Sequence, residues 1–247
     1  MHPPDIILLL TATVDPGDMA FVALNEPAAR RQEYCYALKN WLGDFATPPI
    51  VFCENSGEDL GWVEKIARDE NPYRKTIESF SFHGNDYPRH RGKGYGEIGI
   101  ISHALGKSRL IHSNTRVLKV TGRYFVKNIY RLMQRISDDK EVSIFADLRR
   151  NLSWADSRVF CTTADFLKTY LIPLQNEADD SASVTFECLL ARAIHAGMFH
   201  SMQWTMLPCT PIIQGTSGTA GFVYSTSTIA TLRRELFRLL KSAVLSR

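Results

Sequence analysis

The chain has 247 residues, of which 45% are hydrophobic, 11% aromatic and 22% charged; this is globular usage, long enough for a sizeable core, and it excludes a disordered body. With Lys and Arg at 29 and Asp and Glu at 26, the formal net charge is +3, too weak an excess to support nucleic-acid binding by bulk electrostatics. The odd set of five cysteines, Cys35, Cys53, Cys161, Cys188 and Cys209, contains no CxxC and no Cys/His spacing suited to zinc, so a reduced, cytosolic chain is expected.

The first five residues, Met1 to Asp5, lack the basic start of an export signal, and no stretch approaches the roughly 18 apolar residues of a membrane span. Asp5 to Thr13 (DIILLLTAT) is apolar on both faces, the pattern of a strand inside a parallel sheet covered on both sides. Glu26-Pro27 opens a helix that runs to Gly43, since proline is tolerated in a first turn and Tyr34, Ala37, Leu38, Trp41 and Leu42 recur at helical spacing. Ile50 to Cys53 reads as a second strand, Glu58 to Arg68 as a helix and Thr76 to Phe82 as a third strand, followed by a polar loop to Lys93.

Gly96 to Leu105 has a helical pattern, and Arg109 to Ser113 and Arg116 to Thr121 read as strands around a turn. Beyond them come a helix near Val126 to Ile136, a strand Val142 to Ala146, a polar loop Asp147 to Arg158, and helices near Thr163 to Leu171 and from Ser181 to Ala196. A last helix, Ser227 to Leu245, is amphipathic and basic, with Arg233, Arg234, Arg238 and Lys241. The alternation of β and α segments predicts a mainly parallel α/β sheet flanked by helices.

In open sheets of this class ligands bind outside the carboxyl ends of the strands, which directs attention to the segments that follow them. Arg89-His-Arg-Gly-Lys-Gly-Tyr-Gly-Glu97 combines cations with glycines before a helix, a composition suited to phosphate. It reads equally as a flexible basic surface loop, and it lacks the P-loop spacing. Thr121-Gly-Arg-Tyr124 offers a planar guanidinium, a close backbone approach and a stacking face, or else a turn with Tyr124 in the core. The histidines His83, His90, His103, His112, His195 and His200 form no HExxH, and no GxSxG elbow is present.

Taken in order, Thr11-Ala-Thr13, Glu54-Asn-Ser-Gly57, Gly92-Lys-Gly-Tyr-Gly-Glu97 and Leu118-Lys-Val-Thr-Gly-Arg-Tyr-Phe125 resemble the motifs of bacterial GT-A-type glycosyltransferases that build capsule and O-antigen polysaccharides. Trp154-Ala-Asp-Ser-Arg158, Phe186-Glu187 and Gly215-Thr-Ser-Gly-Thr219 are similar to the same group, so the resemblance spans residues 5 to 220. It implies a single GT-A-like (Rossmann-like) catalytic domain over residues 1–225 with the basic helix, 226–247, appended. A nucleotide-sugar donor, a UDP-hexose, would lie over the first half of the sheet, with Thr11 and Thr13 at the nucleotide and Glu54 near its base or ribose. Lys93 to Glu97, with Lys93, Gly94 and Tyr95 as donor-binding residues, would run along the donor, and Gly122 and Arg123 would stand where many such enzymes carry the metal-binding Asp-x-Asp.

That acid pair is absent, so Arg123, Lys93 and Arg158 are expected to neutralise the leaving diphosphate without a metal or other cofactor. Glu187, near a helix start, is the candidate base for the acceptor hydroxyl, against the reading of a solvated helix glutamate. Asp156 is the second candidate acid, against an ion pair that shapes a loop. The expected acceptor is a glycan or a lipid-linked oligosaccharide at the cytoplasmic face of the inner membrane. There the terminal helix would make a peripheral contact with anionic lipid, or else pack on the protein body or another subunit. A nucleotidyltransferase acting on sugar phosphates and a non-catalytic nucleotide- or glycan-binding protein are the alternative functions.

Overall fold

The computed structural model describes residues 6–17 and 24–216. The first strand, β1 (Ile6–Ala12), is buried along its whole length. Its alternate side chains enter two separate cores: Leu8 and Leu10 face one, Ile7 and Leu9 the other. A strand apolar on both faces therefore becomes the centre of a sheet with a helical layer on each side.

Helix α1 (Pro27–Gly43) follows, capped by Glu26, whose carboxylate accepts from Ala28 N at 3.1 Å and Ala29 N at 2.6 Å. Glutamate here satisfies two of the backbone donors that every helix start leaves unpaired. Next come β2 (Ile50–Glu54), α2 (Gly61–Asp69), β3 (Ile77–Ser81), α3 (Gly92–Lys107) and β4 (Arg116–Thr121). A short β5 (Phe125–Val126) precedes α4 (Ile129–Asp138) and β6 (Ile144–Phe145), then the hairpin of β7 (Leu148–Arg149) and β8 (Trp154–Ala155). The chain continues through β9 (Val159–Thr163) and a brief α5 (Ala164–Phe166), which runs on as a π turn and a 3-10 turn to Glu177. It then forms α6 (Phe186–Phe199), β10 (Trp204–Thr205) and β11 (Ile213–Gln214).

Seven strands form the main sheet in the order β10-β6-β9-β4-β1-β2-β3. β1 pairs in parallel with both β2 and β4, while β9 alone in this sheet runs against its neighbours, β4 and β6. Helices α1, α2 and α4 cover one face and α3 and α6 the other. The fold is Rossmann-like α/β, mainly parallel and flanked by helices. Between β1 and β4 the strand order reverses, so the crevice that receives ligands in such sheets opens at the ends of these two strands.

Several expected elements differ; the helix expected from Ser181, for one, begins at Phe186. Arg109 to Ser113 is not a strand; the chain turns there, and only Arg116 to Thr121 joins the sheet. Helix α3 begins at Gly92, not Gly96, so Gly92, Gly94 and Gly96 are helical residues instead of a phosphate-cradling loop. Their low helix propensity is outweighed by packing. A Cβ on Gly94 would come within 2.8 Å of Phe186 N, and one on Gly96 within 2.5 Å of the Tyr87 hydroxyl. The polar segment Asp147 to Arg158 contains the β7–β8 hairpin. The predicted helix over residues 227–245 lies outside the described residues. Among those residues no helix is long and apolar enough to cross a membrane.

Candidate functional site

At the carboxyl ends of β1 and β4 a cleft of about 790 Å³ opens, lined by Thr11, Thr13, Arg30, Lys93, Arg123 and residues of the β7–β8 hairpin and the α6 start. Its floor is a polar chain buried in the sheet. Lys119, only 1% exposed, lies on β4 between apolar neighbours. Its ammonium meets Glu97 Oε1 at 2.6 Å, Ser157 O at 2.8 Å and Thr121 Oγ1 at 3.3 Å. Thr11 Oγ1 donates to the same Glu97 oxygen at 2.6 Å, and Ser157 Oγ donates to Glu187 Oε1 at 2.7 Å. One continuous network thus runs from β1 through α3 and β4 to the first turn of α6. All three ammonium protons have acceptors, which a buried lysine requires to stay charged.

A second group of cations is differently supplied. Arg30, 6% exposed, projects from α1 into the crevice. It donates to Thr13 O at 2.7 Å, to Leu24 O at 3.0 Å and to the Tyr34 hydroxyl at 3.4 Å, all neutral acceptors. Arg123, 7% exposed, pairs with Glu33 at 3.1 Å, but its buried Nε finds no partner among the described residues. Lys93 lies between these elements at the start of α3. Burial pushes its ammonium below the ordinary lysine range, opposed by Asp180 and abetted by the charges of Arg123 and Arg30. Three cations converge where a strand-end crevice is expected to hold phosphate; Arg123 has Glu33, whereas the desolvated Arg30 meets no carboxylate among the described residues and favours an incoming anion.

The hairpin side of the cleft carries Asp156, which binds Arg149 Nη2 at 2.9 Å and Arg158 Nε at 2.8 Å. Burial by itself would raise this carboxyl, but the hydrogen bonds and charge of Arg158, with the charge of Arg149, hold it below the usual carboxylate range. Such a carboxylate suits holding two arginines better than taking a proton. Glu187 stands in the first turn of α6 and lines the cleft, with the Ser157 hydroxyl on one of its oxygens.

Of the residues singled out in the sequence, Thr11, Thr13, Lys93, Gly94, Arg123, Asp156, Arg158 and Glu187 all line this cleft. Three others lie apart from its lining. Glu54 is fully buried, and its carboxylate accepts from Val14 N at 3.0 Å, Ser56 N at 2.8 Å and Glu58 N at 3.1 Å, clamping the loops after β1 and β2. Tyr95 packs against Tyr87, ring centroids 4.8 Å apart, with the Arg91 guanidinium 5.9 Å from its ring. Gly122 lets β4 turn against β1: its N–H donates to Thr11 O at 2.9 Å, and a Cβ would come within 2.7 Å of that oxygen.

Arg30 and Asp180 went unmarked in the sequence; Glu97 was expected along the donor, and Lys119 and Ser157 stood inside the quoted motifs without a role. For Lys119 a signal existed, since a lone lysine among the apolar residues of a central strand must find a buried acid. Asp180, whose Oδ2 accepts from Lys93 N at 3.2 Å, has its carboxyl raised by burial.

After β4 the chain carries Gly122 and Arg123 in place of paired acids. Among the described residues no group of three or more His, Cys, Asp and Glu side chains is arranged to hold a metal.

Comparison with known proteins bears on the fold. No protein-family model matches the sequence, and no curated protein matches it. Among solved structures the chain is similar to the glycosyltransferase GlyE of Streptococcus pneumoniae TIGR4, at 10% identity and a TM-score of 0.52 over 84% of this chain. The match covers 46% of the GlyE chain, so this protein spans about half of its length. A 4-diphosphocytidyl-2C-methyl-D-erythritol synthase aligns at 12% identity and a TM-score of 0.38, covering 94% of this chain and 96% of its own. The corresponding synthase of Anaerococcus prevotii DSM 20548 aligns at 11% and 0.36, over 98% of this chain and 100% of its own. The last two scores carry no argument. The likeness to GlyE supports a Rossmann-like α/β architecture. Donor and acceptor chemistry must come from the site.

Proposed function

We propose that the protein is a glycosyltransferase that moves a sugar from a nucleotide-sugar donor, a UDP-hexose, to a hydroxyl of a glycan or lipid-linked oligosaccharide in surface-polysaccharide synthesis. The observation that carries this reading is the convergence of Arg30, Lys93 and Arg123 on the β1/β4 crevice. In glycosyl transfer the bond from C1 to the diphosphate oxygen breaks and the nucleoside diphosphate gains charge. Fixed cations aimed at that oxygen stabilise the transition state more than the ground state. The acceptor oxygen forms its bond to C1 while its proton passes to the Glu187 carboxylate, which Ser157 orients at 2.7 Å. The cations do the work of a metal in this account, so turnover should persist in EDTA. The proposed setting is the cytoplasmic face of a membrane that carries the lipid-linked acceptor.

A second reading, nucleotidyl transfer to a sugar phosphate, draws support from the arginines of the β7–β8 hairpin, which would suit a second phosphate-bearing substrate. One assay separates the two. Incubated with UDP-glucose, the protein should release UDP, whereas a nucleotidyltransferase given UTP and glucose 1-phosphate releases pyrophosphate. Binding of UDP-glucose with neither product would indicate a non-catalytic binding protein. In the glycosyltransferase account Glu187→Gln lowers turnover by about 10²- to 10⁴-fold while UDP affinity stays within about twofold. Turnover retained in that variant removes Glu187 from the mechanism.

A further inference from the structure

The β7–β8 hairpin carries a cationic group apart from Arg30, Lys93 and Arg123. Arg149 and Arg158 share the single carboxylate of Asp156. Arg149 and Arg150 also hold their guanidinium carbons 5.7 and 5.5 Å from the centroid of the Trp154 ring. Two guanidinium groups therefore meet one acid and two stand over one half-buried indole, all of them on the cleft wall.

The hairpin tip is held in a costly shape. Arg150, Asn151 and Leu152 take φ values of 48°, 54° and 65° in succession, a left-handed run that disfavours side-chain-bearing residues. The surroundings impose it. Ser153 donates to Arg150 O from both its hydroxyl, at 2.7 Å, and its N–H, at 3.2 Å, while His195 of α6 lies 2.9 Å from Leu152 O. The cations are thus presented by a braced turn, and Arg150, exposed at its tip, is stacked in place over Trp154.

We infer that this hairpin is a second anion site that recognises an acidic sugar, one carrying a phosphate or a carboxylate, as the second substrate. Arg149 and Arg150, held over Trp154, supply the fork for the anion. A neutral sugar would make no use of that charge. The identity of the occupant as the acceptor rests on the proposed transfer reaction, whereas the anion site itself does not.

The test is calorimetric titration of the full chain, presaturated with UDP, with glucose 1-phosphate, methyl glucuronide and methyl glucoside. One or both anionic sugars should bind about tenfold or more tightly than the neutral one, and the tighter of the two identifies the anion. Arg150→Gln, at an exposed side chain, should weaken anion binding by about three- to tenfold while UDP affinity is unchanged. Equal affinities for the three sugars would overturn the inference, as would displacement of the anions by UDP, or indifference of anion binding to both Arg149→Gln and Arg150→Gln. Should UDP itself fail to bind, the donor reading falls, and the same titration without nucleotide still reads the hairpin.

Discussion

Two buried cations in one cleft differ in what neutralises them. Lys119 ends on Glu97, Thr121 and Ser157, so its charge is matched and each proton is accepted. Arg30, equally shielded, reaches only carbonyl oxygens and a phenol among the described residues. The first arrangement is complete without a ligand and belongs to the architecture of the sheet; the second is left short of an anion. Charge burial alone does not mark a binding site. The state of its neutralisation does.

The largest effect that could break this distinction is at Glu97. Glu97→Gln leaves the Lys119 ammonium buried without its counter-ion, which should cost about 3–5 kcal/mol in denaturant unfolding. Arg30→Gln removes neutral hydrogen bonds together with a charge that meets no carboxylate among the described residues, so its cost to folding should be no more than about 1–2 kcal/mol. Equal losses in the two variants would mean that both cations are structural.

Next in size is the effect on ligand. Arg30→Gln or Arg123→Gln should weaken UDP binding by about 10- to 100-fold, the value of one or two charge-assisted hydrogen bonds to a diphosphate. Affinity equal to that of the parent protein would remove the cation in question from the donor site.

The smallest effect sharpens the comparison through Lys93. A diphosphate favours the protonated ammonium, so bound nucleotide raises a pKa that burial holds below the ordinary lysine range in the free protein. Affinity is therefore full below the free-protein pKa and falls as pH rises through it, by under about tenfold if the pKa moves by less than one unit. Lys93→Arg, which stays charged, should flatten the profile of UDP affinity against pH. An unchanged slope in that variant would assign the pH dependence to another group.

The layers of the fold were legible because β1 is apolar on both faces and α1 carries a first-turn proline and an apolar stripe, signals that are local. The α3 start was hidden, since three alternating glycines argue for a loop until Phe186 and Tyr87 are seen to occupy the space their side chains would need. Strand-end positions led to Thr11 and Arg123, which line the cleft, but could not say which way Glu54 turns; its carboxylate clamps loops on the β2 side. Arg30 was illegible for a different reason. It sits on a helix whose pattern explains the buried apolar residues, and only the three-dimensional crossing of α1 over the β1 end brings its guanidinium to the crevice.

The central claim is that Arg30, Lys93 and Arg123 hold the diphosphate of a nucleotide-sugar in place of a metal. Titration of UDP-glucose into the parent protein and Arg30→Gln, each in EDTA and then in Mn²⁺, addresses it most directly. The account predicts binding in EDTA that Mn²⁺ does not strengthen, weakened about tenfold or more in the variant. Binding that requires Mn²⁺, or the same affinity in both proteins, would contradict it.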